Sequence, residues 1–239
     1  MSYNKGRKVL YAERMVIMAV SEMKRGLKEP GSAITHMIGA AGAVIGAPPL
    51  LLRAAAGGPA YILAMAAFLM GMFLLYSASS LYHGVDGGYR VNVRLKKMDH
   101  MMIYMLIAGT YTPVCVIALG DTVGYTLLAI IWGMALFGIF QALFWVHCPK
   151  WVSSVIYIAM GWTCVLAFSK IVDALPSAAF AWLLAGGIIY TAGGVIYALK
   201  LPLFNARHKN FGSHEVFHLF CLGGSFCHYV LMYQYIAVM

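Results

Sequence analysis

The sequence predicts an all-α membrane protein with seven transmembrane helices, and three observations predict it. Of its 239 residues, 62% are hydrophobic and only 10% charged, whereas an ordinary soluble domain is about 25% charged. The apolar residues gather into seven stretches, each roughly the 20 residues a helix needs to cross a hydrocarbon core of about 30 Å. The charges are asymmetric, with 17 Lys and Arg against 8 Asp and Glu, and the basic residues fall in the connections, where they act as topology signals rather than as a nucleic-acid surface. Seven spans use up the length. No soluble catalytic, nucleotide-binding or nucleic-acid-binding domain fits beside them, so no nucleic-acid partner is expected.

Residues 1–30 carry seven basic and three acidic residues, without the apolar core or small-residue cleavage site of a removed signal peptide. They are expected to form a cytoplasmic segment with an amphipathic surface helix over residues 11–28. Residues 31–239 form the transmembrane domain, with spans over 32–52, 59–82, 98–119, 123–146, 151–171, 177–199 and 213–238. Each is read as helix, because backbone left unpaired in lipid is costly. Fifteen basic residues flank one face of this arrangement and only Arg53 and Lys170 the other. The N-terminus is therefore expected in the cytoplasm and the C-terminus outside, in the inner (plasma) membrane. Small-residue positions such as Gly71 with Ser79, and Gly186, Gly187, Gly193 and Gly194, allow close helix packing. The five cysteines, Cys115, Cys148, Cys164, Cys221 and Cys227, show no paired spacing and read as small apolar residues.

Ionisable side chains at membrane depth cost several kcal/mol and are usually retained for a task. His83 ends the second span, Asp99 and His100 open the third, and His214, Glu215 and His218 open the seventh. The predicted topology puts all of them at one depth. His214 and His218, four apart, share a helical face at the spacing that lets two imidazoles hold one ion, and His83 can supply a third nitrogen. Three histidines with water in a fourth position form the ligand set of a catalytic zinc, whereas structural zinc is normally closed by four protein ligands. Asp99 can accept a proton from that water. Ser79, one turn before His83 on the same face, can donate to a substrate carbonyl.

Each residue also has a plain structural reading. His83 alone is an interfacial histidine wetted by headgroups, and Asp99 alone is a helix N-cap or a partner of Arg94 or Lys97. Their joint placement favours the metal. His36 and His100 are expected to be mainly structural, or to hydrogen-bond to the ligands. His228 lies about 15 Å along the helix from His218, too deep to join the site, and His147 and His208 read as loop residues. The seventh span also reads His214-Glu215-Val216-Phe217-His218, an H-E-x-x-H match. No Asp or Glu follows Glu215, and His228 is misplaced for a metzincin. A zincin protease is therefore disfavoured.

Taken together, Glu29-Pro30 with Ile34-Thr35-His36, Ser79-x-x-x-His83, Asp99-His100 leading into Leu106-Ile107-Ala108-Gly109-Thr110-Tyr111-Thr112-Pro113, and His214-x-x-x-His218 resemble the hemolysin III family. This is the bacterial branch of the progestin and adiponectin receptor (PAQR) superfamily. The resemblance covers nearly the whole chain. It implies a seven-helix fold with zinc near the cytoplasmic face, bound by His83, His214 and His218, with Ser79 and Asp99 beside it. Relatives in the wider group include alkaline ceramidases, which implies hydrolysis of a lipid amide. Adiponectin receptors carry Gln where this chain has Glu215, so Glu215 is assigned no catalytic role. The expectation is thus a zinc-dependent hydrolase acting on a membrane lipid or lipid-derived amide or ester. Its rivals are a membrane-homeostasis sensor or receptor-like protein with structural zinc, and a hemolysin-type channel or cytolysin as the family name suggests.

Overall fold

A computed structural model describes residues 27–145, 147–199 and 212–239. Seven helical segments are long and apolar enough to cross a membrane: Pro30–Gly57, Pro59–Gly84, Gly88–Leu119, Thr122–Phe144, Trp151–Ala174, Ser177–Leu199 and Ser213–Val238. The expected surface helix over 11–28 lies almost wholly outside the described residues, as does His208.

The segment ends follow from local chemistry. Pro30 and Pro59 stand in the first turn of their helices, where a missing N–H costs nothing. Gly58 turns the chain between them at φ 86°, a conformation that favours glycine. Asp121 caps the fourth span by accepting the Gly124 amide at 2.9 Å.

Two expectations are corrected. The helix that carries the third span begins at Gly88, ahead of the apolar run expected from residue 98, because Arg90, Arg94, Lys96 and Lys97 are helix formers that continue the helix beyond its apolar part. At 32 residues it is about 48 Å long. Asp99 is consequently three turns inside this helix, which excludes the N-cap reading. The fifth span is not one continuous helix but passes through a 3-10 stretch at Trp162–Ala167. Its cause is a neighbouring side chain. The Tyr111 hydroxyl donates to the Gly161 carbonyl at 2.6 Å and accepts the Cys164 amide at 2.9 Å, inserting into the ladder that would have continued the helix.

The second, third and seventh spans form the centre, with 56%, 44% and 50% of their apolar stretches buried, against 17% in the fifth and sixth. Lipid-facing positions such as Ile45, Leu63, Phe137, Phe144 and Leu166 are exposed, while the interior holds Ser32, His36, Ser79, His83, Asp99, His218, Ser225 and His228. The interior is otherwise apolar, and it is the exterior that departs from the soluble pattern, as expected where the solvent is lipid. Spans two and three cross backbone to backbone. A Cβ at Gly71 would lie 2.8 Å from the Met105 carbonyl, and one at Gly109 2.6 Å from that of Ala67, so neither tolerates a larger residue without a shift. That crossing sets Ser79 and His83 beside Asp99.

Candidate metal centre

His83 sits in the last turn of the second span, and His214 and His218 in the first two turns of the seventh. Residues more than 130 positions apart thereby meet at one end of the bundle. One ligand atom from each of the three histidines lies within 4.8 Å of the others. His83 Nε2 and His214 Nε2 face each other at 3.1 Å, and the rings of His214 and His218 are 4.5 Å apart. His83 and His218 are buried and His214 is half-buried.

The hydrogen bonds around the rings decide which nitrogens are available. His83 Nδ1 is 2.5 Å from Glu29 Oε2, and a carboxylate only accepts, so Nδ1 carries the hydrogen and Nε2 keeps its lone pair. His218 Nδ1 is 3.2 Å from the Ser32 carbonyl, which imposes the same tautomer. Two imidazoles are thus tied outward through Nδ1, the usual device for orienting metal-ligating histidines. The 3.1 Å approach is close to the spacing of about 3.3 Å between two nitrogens sharing a tetrahedral ion at about 2.0–2.1 Å. The residues present therefore fit a metal ion of the zinc type. Three donors, not four, converge among the described His, Cys, Asp and Glu side chains.

Asp99 and Ser79 are both buried, and the Ser79 hydroxyl lies beside the Asp99 carboxyl, with His83 near enough to act on its charge. Asp99 is not among the residues whose ligand atoms lie within 4.8 Å of one another. An ionised Asp99 would draw the Ser79 hydrogen toward itself, so the serine holds the acid in place.

Sequence reasoning missed three contributions, all from the first span or to it. Glu29 meets His83 Nδ1 with its carboxylate. His36 stacks flat on His218 with ring centroids 3.6 Å apart and an interplanar angle of 6°, and Tyr76 meets its edge. His36, expected to be mainly structural or to hydrogen-bond to the ligands, meets His218 through ring contact. Glu215 accepts from Ser32 Oγ and from the Gly212 amide, each at 2.7 Å, which makes it a helix cap and a tie between spans. The pairing of acid and ring at Glu29 and His83 has no local sequence signal, since they are 54 positions apart. His228 packs against Gly186 near the Leu183 carbonyl, and His100 accepts from Tyr157 through its carbonyl at 3.4 Å.

The family model for haemolysin-III related proteins matches residues 25–229, which includes every residue named above as part of the site. Among curated proteins the chain is similar to Hemolysin-3 of Bacillus cereus, with 38% identity over 199 residues that cover 83% of this chain and 87% of the relative. It is similar also to the Hemolysin-3 homolog of Bacillus subtilis (strain 168), at 37% identity and 83% and 89% coverage. With seven apolar spans it is a multi-pass membrane protein, consistent with a place in a bacterial inner membrane. By this match over most of its length, the chain belongs to the haemolysin III family.

Proposed function

We propose that the chain is a zinc-dependent hydrolase of a lipid amide or ester, with the ion held by His83, His214 and His218 at the cytoplasmic end of the bundle. What supports the reading is the convergence of three imidazoles, two with Nδ1 already committed, near a buried carboxyl outside that cluster. Bound there, zinc supplies Lewis acidity to water and to a carbonyl oxygen. Asp99 takes the proton of the attacking water. Ser79 holds Asp99 and, once that bond is released, can donate to the oxygen on which charge develops. His36 keeps the His218 ring in its plane. A three-donor set supports this over a structural zinc site, which is normally closed by a fourth protein ligand.

The test is lipid mass spectrometry of membranes carrying wild-type, His83→Ala or Asp99→Asn protein, with zinc measured on each. The reading expects one lipid amide or ester class to accumulate in both variants, and zinc to remain in Asp99→Asn. An unchanged lipid profile in both would leave zinc as a tie between spans two and seven, the part of a sensor rather than an enzyme. The cytoplasmic placement is tested by a reporter inserted at Asp86, which should be active inside the cell, and one fused after Met239, which should be active outside.

A further inference from the structure

The opening turn of the first span supplies no metal ligand, yet it is bound to both helices that do. The second span ends at Gly84, which leaves its last carbonyls without helical partners. Residues 28 and 29 take them up: the Lys28 amide reaches the Gly84 carbonyl at 3.3 Å, the Glu29 amide the His83 carbonyl at 2.8 Å, and Lys28 Nζ the Tyr82 carbonyl at 3.2 Å. Glu29 also stands at the N-cap of the first helix, where an acidic side chain normally accepts an amide hydrogen. Its side chain makes no such capping bond. Its carboxylate meets His83 Nδ1 instead, with the side chain 41% exposed.

We infer that Glu29 is the positioning residue of the metal centre: held through its backbone to the His83 carbonyl and through its carboxylate to Nδ1, it fixes the tautomer and plane in which His83 presents Nε2 to the ion. This rests on the reading of the three histidines as ligands. The full chain is purified, stripped of metal and titrated with Co2+, using affinity by chelator competition, the visible ligand-field spectrum and the thermal midpoint of the metal-free protein as readouts. Removing such a partner typically weakens metal binding by about 10–100-fold. Glu29→Gln, which keeps the shape and a weaker acceptor, should lose about tenfold in affinity. Glu29→Ala should lose more, both with a shifted cobalt spectrum, and Glu29→Gln with an unchanged metal-free thermal midpoint. Wild-type affinity and spectrum in both variants would overturn the inference and leave the ligand set intact. A wild-type protein that takes up no cobalt would overturn the ligand set itself. If Glu29→Ala fails to fold, Glu29→Gln alone decides.

Discussion

Two buried polar clusters lie along the seventh span, and they differ in how their hydrogen bonds close. In the middle of the bundle, Tyr76 reaches Ser225 Oγ and the Cys221 carbonyl, and Tyr190 meets the same Ser225 at 2.6 Å. Each hydroxyl there finds a partner in another, so the cluster is closed and asks for nothing further. At the end of the bundle the histidines do the opposite. His83 and His218 are bonded outward through Nδ1 to Glu29 and Ser32, while His83 Nε2 and His214 Nε2 face each other. At 3.1 Å the facing nitrogens need a proton or a cation between them, and the proposed metal reading supplies the cation. Buried polarity alone therefore does not distinguish the two clusters; the convergence of three imidazoles on one spot does.

The contrast can be broken most completely at the histidines. Replacing His214 and His218 together with Ala should remove all bound zinc, as metal analysis of purified protein would read, and full zinc in the double variant would place the ion elsewhere. Asp99→Asn comes next. It preserves size and hydrogen bonding but cannot take a proton, so turnover should fall by about 100-fold or more with zinc still bound. Loss of zinc from this variant would make Asp99 a ligand and count against its role as a base. The smallest effect is expected from the closed cluster. Ser225→Ala removes the shared partner of two tyrosines and should lower thermal stability by the equivalent of about 1 kcal/mol, in line with hydrogen bonds between membrane helices, with zinc affinity unchanged. Weaker zinc binding in Ser225→Ala would show that the two clusters are coupled.

Much of the fold is legible in the sequence because lipid imposes a simple rule: seven apolar runs become seven spans. The rule fails where charge or a distant side chain intervenes. The basic start of the third helix reads as a loop by hydropathy, and the break at Trp162–Ala167 depends on Tyr111, 50 residues away from its Gly161 partner. The histidine cluster is legible because the His214 and His218 spacing is local and the expected topology brings His83 to the same depth. Glu29, His36 and the Tyr76–Ser225–Tyr190 cluster are not, since tyrosines, serines and an N-cap glutamate are ordinary residues until the fold sets them against a particular neighbour.

The central claim is that His83, His214 and His218 hold a metal ion together, and X-ray absorption at the zinc edge of the purified protein tests it most directly. One zinc per chain, surrounded by three imidazole nitrogens and one further light atom at about 2.0–2.1 Å, is the predicted result. A sulfur shell near 2.3 Å, which would assign the ion to cysteines such as Cys148 or Cys221, or a protein that retains no zinc at neutral pH, would contradict it.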